Sequence, residues 1–409
     1  MQIPFSPPRI DQKTIDAVVD TLKSGWITTG PKTKLFEKQL AQYTGAPTVL
    51  CLNSATAGLE LALRWFGVGK GDEVILPAYT YSATANVVLH CGATPVFVDV
   101  NKDDFNISIA EIAQYISAKT KVIMAVDFAG LPCDYSNINS LVNNDDVKSL
   151  FKPSSKNQKK LDRILVLSDA AHSIGGTYKG KRVGALADIS VISFHAVKNL
   201  TTAEGGAMCF NLPEPFDNQE IYQALSVKAL HGQNKDALAK TKPGSWKYDI
   251  IEPGYKYNMT DIAAAIGLVE LERYDNDMLV KRKEICEFYN KYLLEYSWAQ
   301  LPILENDIKD SSYHLYALRI REITEQQRDQ IIALISEAGV AVNVHFIPVP
   351  MMSYYRSIGF DIADYPFAYD NYSREISLPV YYDLSLEQAR YVCETVTEAV
   401  EKVLNKVEA

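Results

Sequence analysis

Between residues 48 and 210, short runs of β-branched and apolar residues alternate with amphipathic stretches, and this alternation limits the possible folds most. The runs at 49–52, 73–76, 95–98, 122–126, 164–167, 189–192 and 207–210 are each too short to be a buried helix and read as strands. Strands separated by helical patterns need crossover connections, which build a parallel sheet. Their near-continuous apolar character suits a sheet covered on both faces. The expected class is α/β with a mostly parallel central sheet.

Helical spacing is expected at 12–23, 57–65, 83–90, 109–115 and 261–274. From 143 to 163 the chain turns polar and lysine-rich, which reads as an exposed insertion or elaborated loop, and 233–246 reads as a candidate mobile loop. After Tyr257 long helices dominate, followed by a strand at 313–320, a helix at 325–337, a strand at 341–344 and a last helix at 385–404. This divides the chain into a large α/β domain, 1–255, and a smaller C-terminal α+β domain, 256–409.

The 409 residues are 47% hydrophobic and 22% charged, enough apolar material for two cores. A net charge of −9 argues against nucleic acid as a partner, because phosphate binding needs a clustered positive field. No apolar run approaches the ~20 residues that cross a bilayer, and Met1-Gln2-Ile3-Pro4 lacks the basic start of a signal peptide, so a cytoplasmic chain with no membrane partner is expected. The six cysteines show neither metal spacing nor a disulfide framework, and the six histidines form no helix-spaced ligand pair, so no metal is expected.

Polar residues with distinct chemistry cluster where the expected strands end. Lys198 lies in Ser193-Phe194-His195-Ala196-Val197-Lys198-Asn199, downstream of Ser168-Asp169-Ala170-Ala171-His172 at a strand end. A lysine amine can form a Schiff base with an aldehyde cofactor, and a buried carboxylate keeps a pyridine nitrogen protonated. Asn53-Ser54-Ala55-Thr56 follows a strand and opens a helix, where free amides of Ala55 and Thr56 and the Thr56 hydroxyl favour a phosphate. Ser193 can reach the same phosphate, and Tyr81 follows another strand end, placed to stack on a flat ring. Singly, each has an ordinary reading as cap, turn or packing residue; jointly they describe a pyridoxal phosphate site.

With these motifs, and with Gly25-Trp26-Ile27-Thr28-Thr29-Gly30-Pro31, Gly71-Asp72-Glu73-Val74-Ile75-Leu76-Pro77 and Gly254-Tyr255-Lys256-Tyr257-Asn258-Met259-Thr260-Asp261, the chain resembles the DegT/DnrJ/EryC1/StrS sugar-nucleotide aminotransferases. The resemblance implies fold type I of the pyridoxal phosphate enzymes, which is aspartate aminotransferase-like. It implies Lys198 as the Schiff-base lysine and proton shuttle, Asp169 at the pyridinium nitrogen, Tyr81 on the ring and His172 near the ring 3-oxygen. Ala55, Thr56 and Ser193 match phosphate positions. Lys256 or Asn258 matches the residue reaching the phosphate of a neighbouring subunit, which implies a homodimer with composite sites.

Lys256 and Asn258 stand in place of the commoner Gly-Tyr-Asn-Tyr-Arg pattern, as in the branch making 4-amino-4-deoxy-arabinose nucleotides. Asp127 stands where many relatives carry His, and Phe346-Ile347-Pro348 follows His345 in place of the usual pattern. The implied reaction is a ping-pong transfer of the amine of L-glutamate to a nucleotide-linked keto sugar, for surface polysaccharide or lipopolysaccharide synthesis. Lys256, Arg319, Lys235 and His345 are candidates for the diphosphate, and Thr29, Asn86 and His314 for the sugar. Lys198 disfavours the related sugar dehydratases, which carry His there. A ring-forming amino-hydroxybenzoate synthase and a non-catalytic regulator that retains the fold compete with the transaminase reading.

Overall fold

The computed structural model describes residues 1–234 and 247–405, so most of the expected loop at 233–246, with Lys235, lies outside the described residues. Helix α1 (Gln12–Lys23) begins where the Asp11 side chain accepts the Thr14 amide, and α2 (Pro31–Thr44) follows, with proline at its first position. The chain then alternates through β1 (Thr48–Leu52), α3 (Ala55–Phe66), β2 (Glu73–Pro77), α4 (Ser82–His90), β3 (Thr94–Val98), α5 (Ile109–Tyr115) and β4 (Thr120–Val126). Helices α6 (Tyr135–Asn143), α7 (Asp145–Leu150) and α8 (Lys156–Leu161) lead to β5 (Leu165–Asp169), β6 (Ile189–Ser193) and β7 (Gly206–Phe210).

These seven strands form one sheet in the order β1-β7-β6-β5-β4-β2-β3. The pairs β2–β3, β2–β4, β4–β5 and β5–β6 are parallel, while β7 runs antiparallel to both its neighbours. Strands β1, β2, β4, β5 and β6 therefore all end on one side of the sheet, where ligands bind in open α/β folds. Every residue of β4 is buried, as its apolar run from Val122 to Val126 requires. The outer edge of β1 is covered by Glu37 of α2, which accepts the Cys51 amide at 3.0 Å, and at its end by the backbone at Tyr257 and Asn258.

The segment 143–163 departs from the expected exposed loop. It folds into α7 and α8, whose starts are capped by Asn144 and Ser155, and it buries Phe151, Gln158 and Arg163. Ser155 and Asn157 donate to Phe66 O and Trp65 O, and Arg163 pairs bidentately with Asp188 at 2.7 Å for both bonds. Helices of six residues are too short to show periodicity, and Lys148, Lys156 and Lys159 are exposed on them.

Beyond β7 lie α9 (Asn218–Lys228), α10 (Asp261–Glu272) and α11 (Leu279–Leu293). Strands β8 (Ala299–Gln300) and β9 (Tyr316–Ile320), helices α12 (Glu325–Glu337) and α13 (Pro366–Arg374), strand β10 (Glu375–Leu378) and helix α14 (Leu386–Leu404) follow. Strand β9 is central in a three-stranded antiparallel sheet between β8 and β10. The expected strand at 341–344 makes only an isolated bridge, Asn343 to Ser377, beside another from Ile3 to Val340, and the third strand is β10 instead.

Two hydrophobic cores result. One surrounds the large sheet and takes in Met259 and Ala264 beside α10, which packs on α1 and α2; the other gathers Ile285, Leu318, Ile331, Ile376 and Val396, with Ile3 from the start of the chain. All six cysteines are free thiols. Among the described residues no helix is long and apolar enough to cross a membrane.

Candidate active site

A cavity of about 400 Å³ opens at the common end of the strands. The sequence after β1 supplies Ala55 and Thr56, that after β2 supplies Tyr81, and β5 and β6 with their following loops supply Asp169, His172, Ser193 and Lys198. Every cofactor-binding residue expected from the strand ends lines this one space. Lys256 and Asn258 do not.

Ser54 caps α3 by accepting the Ala57 amide at 3.1 Å, which leaves the first turn of the helix facing the cavity. The helix can lie this close because of two glycines. A Cβ on Gly58 would sit 2.8 Å from the Val191 side chain, and one on Gly206 would sit 2.4 Å from the Ala55 nitrogen.

Asp169 is buried at the end of β5, where Oδ2 accepts the Thr84 hydroxyl at 2.8 Å and Oδ1 the Ala171 amide at 3.3 Å. Burial pushes its pKa up against these hydrogen bonds and the attraction of Lys198, so the pocket favours a cation that would restore the ionised carboxylate. Lys198 is held in the loop from Phe194 to Gly205, closed by the Phe194 amide on Gly205 O and the Thr202 amide on Phe194 O, both 2.9 Å. Burial lowers its amine to about 8, opposed by Asp169. Roughly a tenth is then neutral at pH 7, against less than a thousandth for a free lysine.

Histidines 172 and 314 are buried side by side, with ring centroids 4.4 Å apart, and burial holds both well below the usual imidazole range. His314 meets Asn199 Oδ1 at 2.8 Å, and Asn199 Nδ2 donates to Ser312 O at 2.6 Å. Since that amide nitrogen is the donor, Oδ1 is the acceptor and His314 Nδ1 carries the proton. His172 Nδ1 is buried with no hydrogen-bond partner.

These features satisfy the demands of pyridoxal phosphate. A helix N-terminus with Thr56 and Ser193 nearby suits its phosphate, a buried carboxylate suits its ring nitrogen, and a lysine of lowered pKa suits its aldehyde. The unpartnered His172 Nδ1 leaves a donor or acceptor for a polar ring substituent.

The expected substrate residues separate. His314 and His345 line the cavity. Asn86 instead accepts the Tyr355 hydroxyl at 2.6 Å, and Thr29 takes the Asn258 amide at 2.7 Å and donates to Met259 O. Arg319 is buried between β9 and the large-sheet part of the chain, donates to Lys102 O, Asp103 O and Asn371, and lies over the Phe105 ring. Neither Asn86, Thr29 nor Arg319 lines the cavity.

Sequence reasoning missed Phe5, Ser6 and Phe346, which do line it. Phe5 stacks on His345 at 5.5 Å and Phe346 on His172 at 5.6 Å. The arm bearing Phe5 is held at one end by Ile3 on Val340 and at the other by Arg9, which pairs with Asp277 and lies 3.8 Å over the Tyr382 ring. Asp127, the unusual residue after β4, is a buried hub that accepts from the Cys133 amide, the Tyr135 hydroxyl and the Ser173 hydroxyl.

Comparison with known proteins places this geometry in context. The sequence model of the DegT/DnrJ/EryC1/StrS aminotransferase family matches residues 8–152 and 156–397. Spr1654, a proposed sugar aminotransferase of Streptococcus pneumoniae solved in its PMP form, is 47% identical with a TM-score of 0.94, covering 98% of this chain and 100% of that one. The same protein has been solved in a PLP form. The spore coat polysaccharide biosynthesis protein SpsC of Bacillus subtilis is 37% identical over 402 residues, 97% of each chain. PseC of Helicobacter pylori, an aminotransferase involved in the biosynthesis of pseudoaminic acid, is 28% identical with a TM-score of 0.86, covering 98% of this chain and 100% of that one.

Proposed function

The chain belongs to the DegT/DnrJ/EryC1/StrS aminotransferase family and uses pyridoxal phosphate, and from that premise we propose that it moves the amino group of L-glutamate to a nucleotide-linked keto sugar. The observation that carries this reading is the convergence of Lys198, Asp169 and the α3 N-terminus on one cavity whose other walls include His172, His314, His345 and the rings of Phe5, Tyr81 and Phe346. The names of SpsC and of Spr1654 support sugar amination for a polysaccharide. We take the acceptor to be a UDP-linked 4-keto sugar, on the strength of the 254–261 segment.

When bound, the cofactor supplies an electron-withdrawing ring that stabilises negative charge at the substrate carbon. Asp169 keeps the ring nitrogen protonated, and Thr84 keeps Asp169 ionised. Ala55, Thr56 and Ser193 would hold the phosphate, Tyr81 would cover the ring and His172 would meet its 3-oxygen. Lys198, when its amine is free and neutral, would take the proton from the amino-donor carbon and hold it at Nζ, acting as the proton carrier of the site. The same amine serves both halves of a ping-pong cycle, because each half reverses the proton movement of the other.

We assign two copies of the chain, in the cytoplasm, to one working unit, each lending Lys256 to the other's phosphate. Asn258 is engaged with Thr29 in its own chain, whereas Lys256 is exposed. The test is a pair of single-turnover experiments. L-glutamate alone should bleach the visible band of the yellow holoenzyme, and a UDP-linked 4-keto sugar should restore it while yielding an amino sugar. No bleaching by glutamate would refute the donor; restoration by free keto sugars as readily as by nucleotide-linked ones would refute the acceptor class.

A further inference from the structure

The cavity histidine at 345 is tied to a carboxyl group that the proposed transamination does not use. Glu375, at the start of β10, is fully buried. Its Oε2 accepts the His345 backbone amide at 3.0 Å, and its Oε1 lies 2.5 Å from Ser377 Oγ. Ser377 Oγ in turn lies 2.9 Å from His345 Nδ1. The Tyr79 hydroxyl, just beyond β2, fixes the same residue from the large sheet by donating to His345 O. The ring is therefore anchored, and Nε2 is the nitrogen left for the cavity it lines.

We propose that Glu375, acting through Ser377, decides which nitrogen of His345 carries the proton, and so whether His345 offers an acceptor or a donor to a hydroxyl or carbonyl group bound in the cavity. A serine has one hydroxyl proton. With Glu375 ionised, Ser377 donates that proton to Oε1, can only accept from His345 Nδ1–H, and leaves Nε2 bare. With Oε1 protonated, each bond reverses: Oε1–H donates to Ser377 Oγ, Ser377 donates to Nδ1, and the imidazole carries its proton on Nε2. Glu375 takes up one proton from solvent, while His345 gives up its Nδ1 proton and gains one at Nε2, remaining neutral.

The surroundings place this exchange in a useful range. Burial pushes Glu375 up to about 8 against the Ser377 and His345 hydrogen bonds and the charges of Arg328 on α12 and Arg319 on β9, while Tyr79 faces it from the loop after β2. Burial and the Lys198 charge push His345 down to about 4, so the ring stays neutral while Glu375 titrates. Burial likewise holds His172 and His314, which line the same cavity, well below the usual imidazole range. Glu375 is thus a positioning residue, and this assignment goes beyond the transamination reading because it holds whichever sugar binds.

The experiment is solid-state ¹⁵N NMR of histidine-labelled holoenzyme at about pH 6 and about pH 9.5, on either side of the exchange. The His345 signals are identified by their loss in His345→Gln. In the wild type the bare nitrogen should be Nδ1 at the lower pH and Nε2 at the higher, with a midpoint near 8. In Glu375→Gln the carbonyl is needed by the His345 amide, which turns the NH2 toward Ser377 as a donor, so the proton should stay on Nε2 at both values, and Ser377→Ala should abolish the pH dependence. A wild-type tautomer that is the same at both pH values overturns the proposal, as does a Glu375→Gln protein that follows the wild-type change. The wild-type titration decides the matter even if a variant fails to fold, and a failed amine transfer would leave this result untouched.

Discussion

Lys198 should be a burden on the fold, and Lys198→Met should remove it. Burial lowers the amine from 10.5 to about 8 in the folded cofactor-free chain, a net figure that already contains the Asp169 attraction. A lysine whose pKa is depressed on folding contributes its full stability only above the unfolded value, and that stability is lost as pH falls toward the folded value. At ~1.4 kcal/mol per unit, the penalty is about 3 kcal/mol at pH 7 and under about 1 kcal/mol at pH 10. Methionine keeps the chain length without the charge. Urea unfolding of both cofactor-free proteins should show the variant more stable by about 3 kcal/mol at pH 7, the gap shrinking by ~2.5 kcal/mol at pH 10, while turnover is abolished. A gap of equal size at the two pH values would refute the reasoning, because packing differences do not titrate.

Thr84→Val removes the hydroxyl that donates to Asp169. A hydrogen bond to a charged group is worth about 1.5–3 kcal/mol, so pyridoxal phosphate binding, followed by cofactor fluorescence, should weaken roughly 10- to 150-fold; unchanged affinity would count against Asp169 as the ring's partner. Gly206→Ala places a Cβ against the Ala55 backbone and should displace the first turn of α3, seen as a loss of affinity for inorganic phosphate and cofactor alike. Arg163→Met strands Asp188 as a buried unpaired carboxylate and should cost about 3–5 kcal/mol in urea unfolding, with no change in the kinetics of the glutamate half-reaction.

The sequence made the strand ends legible because chemistry and topology coincide there. Ala55, Tyr81, Asp169, Ser193 and Lys198 each follow an apolar run, and parallel pairing brings such positions to one side of the sheet. What could not be read was whatever depended on folding at a distance. Phe5 and Glu375 come from segments without periodicity, and only the tertiary structure brings them to His345, as it alone brings Phe346 to His172. Arg319 failed as a substrate candidate for a related reason: a sequence displays a cation but not whether its donors are already spent on backbone carbonyls. Gln158 was hidden by its neighbours, since a buried glutamine in a lysine-rich stretch looks like one more solvated residue.

Glu37 bears on how copies of this protein can meet. Open sheets recruit strands from other molecules by offering unanswered amides, which is the first step of runaway templating. At Cys51 that offer is withdrawn by a carboxylate that also binds Lys34 and the Tyr222 hydroxyl, so the plug is itself locked in place. Glu37→Ala should leave the cavity untouched yet expose the Cys51 amide to strands of other copies, visible as growing light scattering at constant activity per folded chain.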